Sequence, residues 1–164
     1  VEKFIPPRRG SKHVLRVIRE VLFFTPLHRG TSIRQALENL NLLTRKRAVV
    51  FLISDFLDQG FERSLKAANR RHDMVLIRIV DPRERELPDV GILEIRDAET
   101  GEPIKVDTHL SWVRETYRAN WERNHARLEK FMDTHRIDHL TIETDKPYEI
   151  PLTRFFAWRA KRFR

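Results

Sequence analysis

The apolar residues in the middle of this chain form two short continuous runs. Residues 48–53 and 74–80 are apolar at nearly every position, and several are β-branched. Runs of this kind are typical of parallel strands covered on both faces. Between them, residues 55–60 form a turn, and apolar residues recur at helical spacing over 61–68. The order strand, helix, strand predicts a βαβ unit.

Two helices are expected ahead of the first run. Apolar residues recur at helical spacing between Ser11, a plausible N-cap, and Pro26, which ends the helix. A second helix begins at Gly30-Thr31-Ser32. Residues 1–5 could form a short strand before two prolines stop it.

The second half of the chain predicts a hairpin around the turn-rich segment 97–101, then a long helix, a last strand and a final helix. Asp107 or Thr108 is expected to cap the long helix, and Pro151 suits the first turn of the final one. The hairpin strands are expected at 92–96 and 104–106, the last strand at 137–142 and the final helix at 152–163. This alternation predicts the α/β class with a mostly parallel sheet, and 164 residues fit one domain.

Composition narrows the possible classes of protein. The chain has no cysteine, which excludes disulfides and thiolate metal sites, and no apolar run approaches the roughly 20 residues of a membrane span. No signal peptide is recognisable, so the cytoplasm is the expected location. The three tryptophans and the pair Phe155-Phe156 stand at helix-packing positions, where a place in the core is expected.

The net charge of +8 is concentrated at the start, since residues 1–50 hold 11 Lys or Arg against 3 Asp or Glu. A basic flank is the usual signature of a surface that binds nucleic acid or an acidic partner. However, Arg outnumbers Lys 24 to 8 over the whole chain, which indicates a general compositional bias. The basic residues of the flank are therefore expected to be ordinary charges on solvated helix faces. Nucleic acid is therefore not the expected partner, and a nucleic-acid binder is kept as an alternative.

Catalytic motifs are mostly missing from the sequence. The five glycines form no phosphate-binding loop. Asp55 and Asp58 are one residue too far apart for the Asp-x-Asp pair of haloacid-dehalogenase-type phosphatases. Asp89 and residues 94–96 fit a nuclease metal motif poorly, because the gap between them is too short and an arginine replaces the usual lysine. His135 and His139 have a metal-ligand spacing only on a helix, and this segment is expected to be a strand.

Asp55 has the most informative position of the polar residues. It directly follows a strand, where open α/β sheets bind ligands, and Thr31 stands on a connection that could reach the same end of the sheet. Two oxygen donors suit a hard cation such as magnesium. The alternative is that Asp55 caps the helix after it and Thr31 caps its own.

Several segments together resemble the bacterial family known as domain of unknown function 58. The resemblance runs the whole length of the chain. The matching segments are residues 4–7, 10–15, 30–31, 47–58, 71–75, 81–91, 144–148, 151–152 and 155–156.

The resemblance implies a von Willebrand factor A-like domain, which is a doubly wound sheet with a metal-ion-dependent adhesion site. Such a site combines an Asp-x-Ser-x-Ser loop, a threonine and an aspartate. Thr31 and Asp55 match the last two, but the sequence has no Asp-x-Ser. By resemblance, the first strands and the serine loop would lie upstream of Val1, so this would be an N-terminally truncated domain with an incomplete site. Phe56 stands where many adhesion-type domains have glycine.

The function implied by the resemblance is a non-enzymatic protein-interaction module. It would work with a MoxR-type AAA+ ATPase in the assembly or maturation of other complexes, on an unknown client, with magnesium bound in the full-length protein. A metal-dependent hydrolase using Asp55 is an alternative. If the neighbouring first strand is missing, the strand at 48–53 has an open edge, and we expect self-association through it.

Overall fold

A computed structural model describes residues 2–27, 30–96 and 102–162. Five helices, five strands and a short 3-10 helix at Pro82–Glu84 are found in this part of the chain. The helices are α1 Ser11–Phe23, α2 Ile33–Leu43, α3 Glu62–Arg71, α4 Ser111–Thr134 and α5 Glu149–Arg162. The strands are β1 Val49–Ser54, β2 Asp73–Val80, β3 Ile92–Arg96, β4 Pro103–Asp107 and β5 Asp138–Glu143.

Strands β1, β2 and β5 form a parallel sheet with β2 in the centre. Ser54 at the end of β1 is opposite Arg78, and Val80 at the end of β2 is opposite Glu143. The carboxyl ends of the strands therefore meet at one edge. The predicted α/β class, βαβ unit and mostly parallel sheet are confirmed.

Helices cover both faces of β2, because its successive side chains point to opposite faces. Met74 and Leu76 belong to a core that also contains residues of α2, α3 and α4. Val75 and Ile77 pack on the other face in a cluster that includes Phe155 of α5. This two-sided arrangement is that of a partial Rossmann-like fold.

Strand β1 is covered on one face only, so the prediction of two covered faces is wrong for this strand. Val50 and Leu52 pack against the core. Val49, Phe51 and Ile53 on the other face are 57%, 45% and 61% exposed. Helix α5 packs on β2 and β5, and it meets β1 through the ring of Phe156, which lies 5.9 Å from that of Phe51.

The N-terminal segment differs from the prediction in three respects. Residues 2–5 are not a strand, and Val1 lies outside the described part. Helix α1 is capped by Gly10 and not by Ser11, which is its first residue, and it ends three residues before Pro26. None of the residues of α1 is buried, although its apolar side chains share one face.

The hairpin of β3 and β4 is confirmed, while its connecting residues 97–101 lie outside the described part. Neither Asp107 nor Thr108 caps α4, because the helix starts after Leu110. Thr108, which follows β4, is fully buried. Its hydroxyl donates a hydrogen bond of 2.7 Å to the carbonyl of Gly91, the residue before β3.

Helix α5 starts three residues earlier than expected, with Pro151 in its first turn as predicted. Its aromatic residues are only partly in the core, since Phe155 is buried but Phe156 and Trp158 are exposed. Trp112 on α4 is exposed as well. In the described ranges, no helix has both the length and the apolar character needed to cross a membrane.

Candidate functional site at the carboxyl edge of the sheet

Asp55 leaves the end of β1 with its carboxylate exposed to solvent. Oδ1 accepts hydrogen bonds from the Leu57 amide and the Ser54 hydroxyl, both at 3.2 Å. The alternative that Asp55 caps the following helix is wrong, because α3 begins after Phe61. Asp55 instead stabilises its own turn.

Phe56 adopts a left-handed backbone conformation with a φ of 60°. For a residue with a side chain this costs about 1–2 kcal/mol. Its ring is buried and lies 5.9 Å from the ring of Phe61. Packing therefore holds the turn in a conformation that glycine would adopt freely, and glycine is the residue that many adhesion-type domains have at this position.

Thr31 is brought to the same end of the sheet by Asp58. The Asp58 Oδ2 atom accepts a hydrogen bond of 2.7 Å from the amide of Ile33, the first residue of α2. Thr31 lies two residues before Ile33 and is exposed. It does not cap α2, because Ser32 does so by accepting from the Gln35 amide. The turn after β1 thus connects directly to the N-terminus of α2.

Thr31 and Asp55 by themselves are too few to form a metal site. They offer oxygen donors that suit a hard cation, but magnesium or calcium takes about six. No group of three or more His, Asp or Glu side chains in the described ranges could hold a metal ion. The two residues could hold such an ion only together with ligands from elsewhere.

The other sequence candidates have ordinary structural partners. His135 ends α4 and packs on the ring of Phe131, whereas His139 is on β5 and contacts the Ile137 carbonyl. Asp58 is used in the contact to α2. Asp89 pairs with His109 at 2.7 Å and with Arg114 at 3.4 Å.

Arg78 is the residue of this edge that sequence reasoning missed. It lies in the central strand opposite Ser54, and only 6% of it is exposed. Its guanidinium lies 5.6 Å from the ring centre of Trp121 on α4, and Nη1 contacts Nδ1 of His125. The available signal was a single charge inside the otherwise apolar run 74–80.

Burial lowers the pKa of Arg78, while the negative charges of Glu129, Asp55 and Glu84 oppose this shift. The pKa of Glu84 is raised by burial and then by the neighbouring Asp55 and Asp81. A buried cation therefore lies beside a group of carboxylates that repel one another.

A cavity of about 300 Å³ opens between the turn after β1 and helix α4. Arg78 contributes to its wall together with several aromatic side chains. The lining residues are Phe56, Leu57, Asp58, Gln59, Phe61, Glu62, Arg78, Trp121, Asn124, Arg127, Leu128 and Phe131.

Comparison with known proteins assigns the sequence of this chain to a family. Residues 1–127 match the family described as protein of unknown function DUF58. The chain is 28% identical over 162 residues to uncharacterized proteins of Mycobacterium tuberculosis and Mycobacterium bovis, covering 96% of this chain and 50% of each relative. An uncharacterized protein of Mycobacterium avium is also 28% identical over 162 residues, with 94% of each chain covered.

The chain thus spans half the length of the M. tuberculosis and M. bovis relatives. No solved structure matches it. The family match covers most of the chain, including the carboxyl edge of β1 and β2 and most of α4. The chain is therefore a member of the DUF58 family.

Proposed function

We propose that this chain is part of a non-enzymatic protein-interaction module of the von Willebrand factor A-like type. The observation that carries the proposal is the amount of apolar surface open to solvent. Helix α1 buries none of its residues, and Val49, Phe51 and Ile53 on the outer face of β1 are exposed. Large apolar patches on a folded protein are typical of surfaces that contact another protein segment.

The carboxyl edge of the sheet would provide the specific part of the contact. Asp55 is exposed there, and the contact between Asp58 and Ile33 holds the segment of Thr31 nearby. In the full-length protein these two residues would contribute oxygen ligands to a magnesium ion. The ion's open position would then accept an acidic side chain of the partner.

The partner expected from the resemblance is a MoxR-type AAA+ ATPase. Together the two proteins would act in assembling or maturing another protein complex, the client. An interaction module suits this role because the ATPase supplies the chemical energy, so the module needs only to bind both proteins.

Binding of the full-length protein to the MoxR-type ATPase of the same organism tests this proposal. We expect Asp55→Ala, or removal of magnesium with a chelator, to weaken binding at least tenfold. The matched control is Asp133→Ala, which removes an exposed carboxylate from the last turn of α4. The proposal fails if the ATPase does not bind, or if Asp55→Ala binds it as tightly as the unaltered protein.

A further inference from the structure

Arg78 is a buried cation without a carboxylate partner in the described part of the chain. No Asp or Glu oxygen among these residues lies within ion-pair distance of its guanidinium, and its Nε is buried without a hydrogen-bond partner. Taking an unpaired charge out of water is costly. A residue that lowers stability in this way is often retained because it binds something.

Trp121 and His125 contact the guanidinium of Arg78 but do not neutralise its charge. Trp121 offers the face of its ring. His125 accepts through Nδ1, so its proton is on Nε2, which faces Glu129 Oε1 at 3.3 Å. Glu129 thus contacts His125 and acts on the guanidinium through its charge, without an ion pair. The Nε of the guanidinium has no hydrogen-bond partner among the residues that the structure describes.

The other charged groups of the cavity already have partners. Asp58 accepts from the Ile33 amide, and Arg127 lies 3.8 Å from Glu62. The remaining wall is largely apolar, with rings from both the turn after β1 and helix α4. Such a cavity combines one unsatisfied positive charge with walls that favour a flat apolar group.

We propose that this cavity binds a carboxylate attached to an aromatic or compact apolar group, with Arg78 as its ion-pair partner. A guanidinium can bind a carboxylate through two parallel hydrogen bonds, which a lone ammonium cannot. A monoanion suits this site better than a doubly charged phosphate, because the negative charges of Glu129, Asp55 and Glu84 already act on Arg78. Neither Thr31 nor Asp55 lines this cavity, so the proposal rests on residues other than those of the proposed metal contact.

Calorimetric titration of the 164-residue chain with 3-phenylpropionate and with its neutral amide provides the test. We expect the acid to bind at least tenfold more tightly than the amide, because the amide lacks the charge. A peptide that ends in a free phenylalanine carboxylate forms the second arm. Tighter binding of the peptide than of the free acid assigns the carboxylate to a protein partner, and the reverse order assigns it to a small molecule.

Three variants locate the binding on Arg78. Arg78→Met should reduce affinity for the acid to that for the amide, while its melting temperature without ligand is unchanged or raised. Arg78→Lys keeps the charge but not the planar fork, and we expect an intermediate loss. The control Arg83→Gln changes an exposed arginine of the 3-10 helix and should bind like the unaltered chain.

The proposal is overturned if acid and amide bind equally, or if neither binds at millimolar concentration. It is also overturned if Arg78→Met lowers the melting temperature and leaves affinity for the acid unchanged. That result would assign Arg78 a purely structural role.

Discussion

Phe56 combines a strained backbone with a buried ring directly after the exposed Asp55. Its positive φ favours glycine, whereas its burial against Phe61 favours a large side chain. The two preferences can be separated by substitution, because alanine removes the ring but keeps the strain, and glycine removes both. Comparing the alanine and glycine variants therefore measures the free-energy cost of the strained backbone in the turn after β1.

We expect Phe56→Gly to be more stable than Phe56→Ala by about 1 kcal/mol, the reverse of the usual order of these residues. Both should be less stable than the unaltered chain by roughly 2–4 kcal/mol, because a buried ring is lost. Urea unfolding of the three proteins measures the differences. An alanine variant as stable as the glycine variant would contradict a strained turn.

His72 lies between α3 and β2, only 1% exposed, and neither ring nitrogen has a hydrogen-bond partner in the described part of the structure. Burial lowers its pKa from the usual 6.5, and the positive charge of Arg71 lowers it further. Protonation therefore favours the unfolded state. The stability due to neutral His72 is present above pH 6.5 and is lost as the pH falls below that value towards the lowered pKa.

We expect His72→Phe to reduce the loss of stability between pH 7 and pH 5, measured by urea unfolding at each pH. The control is His13→Gln, which changes a histidine in the unburied helix α1 and should leave the pH dependence unaltered. An equal loss of stability in His72→Phe and the unaltered chain would show that other groups cause the acid sensitivity.

Among the elements, α5 is attached to the sheet by charge as well as by packing. Arg159 lies 2.6 Å from Asp73 and 3.2 Å from Asp138, which are the first residues of β2 and β5. The Arg159 and Asp138 side chains are only 9% and 7% exposed. This cluster is at the amino end of the sheet, opposite the candidate site, so its role is structural.

Removing Arg159 should leave the buried carboxylate of Asp138 without its buried ion-pair partner. We expect Arg159→Met to lower the free energy of unfolding by about 3 kcal/mol. Arg162 also pairs with Asp138, at 2.7 Å, but its side chain is half exposed, and Arg162→Met should cost less than about 1 kcal/mol. Similar losses in both variants would show that burial does not set the strength of this cluster.

For the whole molecule, the sequence predicted the elements well and their contacts poorly. The runs at 48–53 and 74–80 and the helical spacing after them are local signals, and each corresponds to an observed element. The contact between Arg78 and His125 joins residues 47 positions apart, which no local pattern encodes. The cavity and the unpaired cation were missed for this reason.

The exposed face of β1 was also unpredictable, because an apolar run indicates a buried strand without showing what buries it. The same limit applies to α1, whose apolar face was predicted but whose lack of a partner in the described chain was not. For the candidate site, the sequence identified Asp55 and Thr31 from their places beside a strand end and a helix start. The contact of Asp58 with the amide of Ile33, two residues after Thr31, required the structure.

Strand β1 makes self-association of the chain the expected behaviour in solution. It pairs with β2 on one side only in the described part of the sheet, so the other side presents backbone N–H and C=O groups that another strand could pair with. Its outer face adds three exposed apolar side chains, Val49, Phe51 and Ile53, and burying such surface contributes roughly 25 cal/mol per Å². No charged residue or proline interrupts the strand to prevent pairing.

We therefore expect light scattering to show dimers or larger species, and Phe51→Lys to shift the chain towards the monomer. Ile92→Lys is the matched control, because Ile92 is an equally apolar, 75% exposed residue of the separate hairpin, and this change should leave association unaltered. Hydrogen exchange should show that the amides of residues 48–53 gain protection as concentration rises. A monodisperse monomer whose β1 amides are all strongly protected at low concentration would mean that the edge is covered within the chain itself, and association through β1 would then be excluded.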